Sequence, residues 1–517
     1  MQRRGFLKLL PGSAAVAAQT PSTGSAQPNI LIIMADQHRA GLTRGSGFPL
    51  DTMPALDRLA AQGVAFERAY TTAPLCVPAR TSLLTGRWPH AHRVRQNSAP
   101  WAAHFDKDIF HVVKDRGYRT AMVGKNHSYL TPERLDYWRL YSHLDGWMPE
   151  PAPKGYVEFG QWMKHMNFAT ADRPTPFPIE AQFPYRIVSN AIEFVDQAAA
   201  QPFAIWVSFP EPHNPYQVPK PYFDMFSPGE VPARAAGPEA LDRKSFKWQW
   251  LRKLEESTYP GYDDDWRRTR SNYLGMLRFI DDQVDRLLQH LDSRSKLKNT
   301  IVVYLTDHGD FFCDYGLVRK GPELPEVLTR IPMVWSGPGI HAQTHHPAFV
   351  STADILPTIC EAIGAPFPAG TQGRSLWPLL QGRDYPRAEF ESVYAEVGFG
   401  GLNYGPEDAI DPRWGHIPGA PGAIPGFDEL NPVTQSGNMK MVRRGDWKLT
   451  FDMMGDGQLY DLAHDPYELT NLFGQPAAAA MQNRLMADLL RWTIRTQDDL
   501  PLAAYKPKLA NRNWYAR

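Results

Sequence analysis

The chemistry of this chain starts at a cysteine. It opens the run Cys76-Val77-Pro78-Ala79-Arg80-Thr81-Ser82-Leu83-Leu84-Thr85-Gly86. Pro78 suits the first turn of a helix and Gly86 suits its end, so the run predicts a helix with Cys76 at its N-terminus. Backbone N–H groups there favour negative charge, and Arg80, one turn along, is placed to point back at position 76. A cysteine so placed has a lowered pKa, which makes it a reactive thiolate or a metal ligand. Two acidic dipeptides, Asp36-Gln37 and Asp307-His308, each follow a strongly apolar run. Either alone reads as a turn cap. Brought together, their four donors hold one divalent cation. Two carboxylates and an amide oxygen favour calcium, and the imidazole of His308 also suits manganese or another transition metal.

These dipeptides need strands to present them. Asn29–Ala35 and Ile301–Leu305 are short continuous apolar runs, the pattern of strands covered on both faces. Carboxyl ends of such strands are where ligands collect in open α/β sheets. Arg119–Val123, Phe203–Phe209 and Pro332–Trp335 are further strand candidates, and Val64-Ala65-Phe66 starts an extended piece. Pro54–Gln62, residues 185–199, residues 273–291 and Ala353–Ile363 show helical spacing. Strands alternating with helices over this length give an α/β class with a largely parallel or mixed sheet. Residues 210–265 and 397–438 read as long inserts that wall a pocket. A smaller α+β domain begins near 385: a hairpin (Met439–Val442 and Trp447–Phe451), a strand (Gln458–Leu462), a helix at 477–495, and a basic, aromatic tail at 498–517 that straps back over the body. The division is therefore 1–28 leader, 29–385 catalytic domain and 386–517 C-terminal subdomain.

Of 517 residues, 43% are hydrophobic and 21% charged, which is ordinary globular composition rather than disorder. Lys+Arg and Asp+Glu both number 55, so the formal net charge is zero, and with no strongly basic domain nucleic acid is a poor candidate partner. The three cysteines, Cys76, Cys313 and Cys360, are no disulfide framework. The start, Gln2-Arg3-Arg4-Gly5-Phe6-Leu7-Lys8, then an apolar stretch ending in Ala14-Ala15-Val16-Ala17-Ala18, reads as a twin-arginine export signal cleaved near Ala18. It is too short to span a bilayer, so the expected product is soluble and periplasmic, without a transmembrane anchor.

Cys76-x-Pro78-x-Arg80 with Thr85-Gly86-Arg87 resembles the signature of the formylglycine-dependent sulfatases. The resemblance runs from Asn29 to about Leu472. It takes in Asp36-Gln37, Gly124-Lys125-Asn126-His127, Pro212-His213-Asn214-Pro215, Asp307-His308-Gly309, Lys320 and Leu459-Tyr460-Asp461-Leu462. It implies an alkaline-phosphatase-like core with a large mixed, mostly parallel sheet between helices. It also implies Cys76 oxidised to formylglycine by a maturation enzyme, and a covalent sulfo-enzyme formed from an aryl, alkyl or sugar sulfate. Arg80 and Lys125 then hold the hydrated aldehyde, and His127 is the base for its collapse. His213, assisted by Lys320, is the acid for the leaving oxygen, and Asn97 lies near the transferred group. The pairs Asp36-Gln37 and Asp307-His308 are similar to those of the phosphonate monoester hydrolase and phosphodiesterase branch, which makes phosphodiester or phosphonate hydrolysis the chief alternative. An inactive exported binding protein is the other. His104, His111, His143 and the His345-His346 pair read as surface or packing histidines.

Overall fold

Asn29 to Asp36 forms β1, buried along its whole length. It lies parallel to and between β5 (Phe203–Pro212) and β6 (Thr300–Thr306). Beyond β5 come β3 (Arg119–Lys125) and the edge strand β4 (Tyr137–Tyr141), also parallel. Past β6 the sheet becomes mixed. There β8 (Met333–Ser336) runs antiparallel to β6 and to β2 (Val64–Tyr70), while β2 also pairs with the short β7 (Arg330–Ile331) and with β9 (Gln343–Ser351). The order β4-β3-β5-β1-β6 therefore places the carboxyl ends of successive parallel strands side by side on one edge, about 4.8 Å apart. This computed structural model describes residues 27–166, 169–411 and 430–497. The stretch read as an export signal, the tail at 498–517 and part of the 397–438 insert lie outside the described residues.

Side chains of a strand alternate between its faces, and β1 shows how the two layers arise. Leu31 and Ile33 join Ile187, Phe194, Leu277 and Ile280 on one face, where the helices Phe183–Gln197 and Trp266–Ser293 pack. Ile30, Ile32 and Met34 join Leu83, Leu84, Ile355 and Leu356 on the other, beneath the helices Cys76–Thr85 and Ile355–Ala362. The Trp266 helix begins seven residues earlier than its apolar spacing predicts, because the Asp265 side chain caps it by accepting the Arg268 N–H at 3.3 Å. The 210–265 insert is not loop throughout. Its Phe246–Thr258 helix packs Trp248, Trp250, Leu251 and Leu254 against Phe311, Tyr315 and Leu317 as a separate small core. Among the described residues no helix is long and apolar enough to cross a membrane.

A second, antiparallel sheet follows: β10 (Ser392–Phe399), β11 (Gly437–Arg444), β12 (Trp447–Asp452) and β13 (Gly457–Asp461). The helix Ala479–Gln497 packs on it through Leu485, Leu489 and Trp492. A buried charge cluster joins the two sheets. Glu326 accepts from the Tyr70 hydroxyl at 2.7 Å and pairs with Arg443 of β11. Its N–H donates to Glu468 at 2.7 Å, and Glu468 pairs with Lys448 of β12 at 2.7 Å.

Burial pushes the Glu326 carboxyl up, but Arg443 and Lys448 outweigh it and hold it at about 2, against an ordinary 4.5. A depressed carboxyl stabilises the fold fully above its unfolded-state value and loses that contribution as pH falls through the folded one. Acid titration of stability should therefore show a loss between pH 4.5 and about 2. Glu326→Gln should flatten that limb, and an acid limb unchanged by the substitution contradicts the assignment.

Candidate active site

The Cys76–Thr85 helix is buried throughout, starts after the extended residue Leu75, and ends on Gly86 at φ 64, a left-handed conformation that suits glycine. Helix N-termini leave N–H groups unpaired. Here the Asn97 side-chain oxygen accepts the Val77 N–H at 3.0 Å, which fixes the turn that carries Cys76. Asn97 thus lies beside the cysteine, with its oxygen committed to the helix.

The strand ends supply the rest. Asp36 closes β1 and Lys125 closes β3. His213 follows β5 by one residue, and Asp307-His308 follows β6 directly. Arg80 binds them together. Its Nε donates to Asp307 at 2.8 Å and its Nη2 to Asp36 at 3.2 Å. Its Nη1 donates to the Lys125 carbonyl at 2.8 Å and to Ser208 Oγ at 2.9 Å. The guanidinium also lies 5.7 Å from the centre of the Trp206 ring.

Cys76 Sγ lies 3.2 Å from His308 Nε2, 3.7 Å from Lys125 Nζ and 3.8 Å from an Asp36 oxygen. Burial and Asp36 push its pKa up, but Lys125, Lys320 and His308 outweigh them and the thiol ends below its ordinary value. The direction is the expected one. The cations responsible are not, since the Arg80 guanidinium is turned onto the carboxylates. Burial also opposes charge on Asp36 and Asp307, yet both are held low, Asp36 by Lys125 foremost and by Arg80, and Asp307 by His308, Arg80 and Lys125.

Asp36, Cys76, Asp307 and His308 are all buried, and each offers a ligand atom within 4.8 Å of the others. His308 Nδ1 hydrogen-bonds the Gly309 carbonyl at 2.9 Å, which leaves Nε2 for the site, the arrangement metal-binding histidines use. Gln37 is oriented by charge. Its amide nitrogen donates to Asp310 at 2.5 Å, and its oxygen accepts from the Lys320 ammonium at 3.0 Å. Two ionised carboxylates, an imidazole nitrogen and a nearby amide oxygen fit one divalent cation.

Lys320 also donates to His213 Nε2 at 3.2 Å, and His213 Nδ1 donates to the Asn214 carbonyl at 2.9 Å. Burial, His143 and Lys320 push His213 well below the ordinary imidazole value. His127, at φ 43, is pushed down by burial, Lys125 and Arg80. Both rings are therefore neutral. His143, read from sequence as a surface or packing residue, belongs to the site instead. Its Nε2 is 2.6 Å from Lys125 Nζ, and its ring stacks on His213 with centroids 3.7 Å apart. No local pattern marks it. The signal is topological, because β4 lies beside β3 and ends at Tyr141, two residues earlier.

Two buried carboxylates and flanking cations at the carboxyl edge of the parallel strands, with Cys76 set against them from its helix, form the site of a metal-dependent hydrolase with an alkaline-phosphatase-like core. Residues 28–365 match the family profile described as Sulfatase. The chain is 27% identical over 480 residues to a choline-sulfatase of Rhizobium meliloti (strain 1021), covering 89% of this chain and 85% of the relative. It is 27% identical over 523 residues to the "Multifunctional alkaline phosphatase superfamily protein PehA" of Trinickia caryophylli, covering 91% and 96%. In structure it is similar to the phosphonate monoester hydrolase of Agrobacterium radiobacter, with a TM-score of 0.73, 23% identity, and coverage of 94% of this chain and 100% of that one. The chain belongs to the formylglycine-dependent sulfatase family, and is a sulfuric-ester hydrolase.

Adding calcium or manganese to chelator-treated protein should raise its melting temperature, since a cation that binds only the folded state stabilises it by mass action. Asp307→Asn should remove most of that rise. An equal rise in wild type and variant places the cation elsewhere.

Proposed function

We propose that the chain releases inorganic sulfate from an organic sulfate monoester, aryl, alkyl or sugar, using residue 76 after oxidation of its cysteine to formylglycine. The observation that carries this reading is the convergence on Cys76 of two strand-end carboxylates, His308, Lys125 and Lys320. Formylglycine, when hydrated, supplies a nucleophilic hydroxyl and a second hydroxyl through which sulfate is later expelled. A divalent cation held by Asp36, Asp307 and His308, with Gln37 at its edge, supplies Lewis acidity and charge neutralisation. Calcium is the proposed ion and manganese the alternative.

The protein's own groups divide the remaining work. Arg80 keeps both carboxylates ionised and in register. Lys125, bonded to Asp36 and His143, directs its charge at residue 76. His213 is the acid for the leaving oxygen. Burial, His143 and Lys320 keep it neutral in the free enzyme, and the negative charge of a bound ester offsets the surrounding cations and lets Nε2 take up a proton from solvent. His127, neutral for the reasons above, is suited to accept a proton when the second hydroxyl collapses to the aldehyde. Asn97 steadies the nucleophile's helix. Maturation by a formylglycine-generating enzyme in the cytoplasm, then twin-arginine export to the periplasm, fits the Arg3-Arg4 leader.

A second reading, hydrolysis of phosphodiesters or phosphonate monoesters, is favoured by the pairs Asp36-Gln37 and Asp307-His308, which resemble those of that branch. Protein co-produced with a formylglycine-generating enzyme should hydrolyse 4-nitrophenyl sulfate faster than an aryl phosphodiester or phenylphosphonate ester. The residue-76 peptide should carry an aldehyde by mass spectrometry. Cys76→Ala should lower kcat on the order of 10⁴-fold or more. Faster phosphodiester turnover would exchange the two readings, and full activity with an unmodified thiol would overturn both.

A further inference from the structure

We propose that His143 is a positioning residue that couples the lysine beside the nucleophile to the histidine on the leaving-group side. The inference rests on the sulfate-ester reading above and adds a residue to it.

The chain presents His143 on a stiff support. After β4, Ser142 N–H donates to the Asp145 carbonyl at 2.7 Å, Asp145 N–H to Ser142 Oγ at 3.1 Å, and Trp147 N–H to the Leu140 carbonyl at 2.7 Å. Tyr141 and Gly146 close the turn as an antiparallel bridge. Gly146 lies hard against the Tyr141 ring, where a Cβ would come within 2.4 Å of Cδ1. The turn therefore tolerates no side chain at 146 without moving that ring.

From this tip the imidazole meets four parts of the site, an Asp36 oxygen lying 3.7 Å from its Nε2. Its Nε2 accepts from the Lys125 ammonium at 2.6 Å, so its own proton is on Nδ1. Its face stacks on His213 at 3.7 Å and 17°. Its edge meets His127 at 6.1 Å and 88°. The side chain is 19% exposed, so it walls the site on the solvent side rather than lying beneath it. The two functions are separable. The acceptor nitrogen aims Lys125 at Asp36 and Cys76. The ring face holds the plane of His213, whose two nitrogens are committed to the Asn214 carbonyl and to Lys320. Misplacing either partner by about 1 Å is enough to slow a well-positioned reaction roughly 100-fold.

Two substitutions separate the functions. His143→Phe keeps the stacking face and removes the acceptor. His143→Gln keeps an acceptor for Lys125 and removes the face. With a series of aryl sulfates of rising leaving-group pKa, H143F should lower kcat by roughly 10- to 100-fold, evenly across the series. H143Q should lose little on good leaving groups and progressively more on poor ones, steepening the dependence of rate on leaving-group pKa, with KM little changed in either. Equal, leaving-group-independent losses in both variants that follow a drop in melting temperature would reduce His143 to a structural role and overturn the proposal. Nitrogen-15 spectra of labelled histidines give a reading that does not depend on turnover. His143 should be the Nδ1–H tautomer in the wild type and lose that preference in Lys125→Met, and an Nε2–H tautomer in the wild type overturns the proposal. If the wild type turns over no sulfate ester while the spectra come out as expected, the sulfatase reading falls and the Lys125 coupling stands.

Discussion

The guanidinium of Arg80 is the constraint on which the site depends, because it reaches from the nucleophile's helix to residues on or directly after β1, β3, β5 and β6. Asp36 and Asp307 are fully buried, and an ionised carboxylate out of water is unstable without a partner. Breaking a buried ion pair by removing one partner typically costs about 3–5 kcal/mol, because the remaining charge is left uncompensated. Lysine in place of Arg80 carries the same charge but lacks the planar fork that engages several acceptors at once. The same contacts that stabilise the two acidic strand ends also set where Cys76 is presented. Fold and site are therefore built from one set of interactions.

Around that clamp the charges are sorted by position. Lys125 faces Asp36 and the cysteine, while Lys320 faces Gln37 and His213 on the opposite flank. The histidines near them are kept neutral by burial and by these same cations. Neutral imidazoles beside lysines accept hydrogen bonds, as His143 does from Lys125 and His213 from Lys320. His308 behaves oppositely: burial opposes its charge, but Asp307 and Cys76 raise it. That contrast follows from location, because His308 sits among the anionic donors and the other three sit among the cations.

Most of this was legible in the residues. Continuous apolar runs ending in Asp36 and before Asp307 marked central strands, and the parallel order of β5, β1 and β6 follows from such runs being buried on both faces. The Pro78-to-Gly86 helix was readable because its punctuation is local. What escaped was set by long-range packing. His143 has no neighbour in sequence that explains it and is defined by β4 pairing with β3. The Phe246–Thr258 helix was hidden in an aromatic, Pro-flanked and charged stretch, and forms because its tryptophans find Phe311 and Tyr315. The origin of the lowered Cys76 pKa was likewise out of reach, since Lys125 and Lys320 approach it from other parts of the chain.

The central claim is that one cation sits where the Arg80-bound strand ends meet residue 76. Anomalous diffraction from crystals of the mature protein grown with manganese tests it directly. The account predicts one strong peak bounded by Asp36, Asp307, His308 and the side chain of residue 76. A peak elsewhere in the molecule, or a catalytically competent crystal with no peak among those residues, would contradict it.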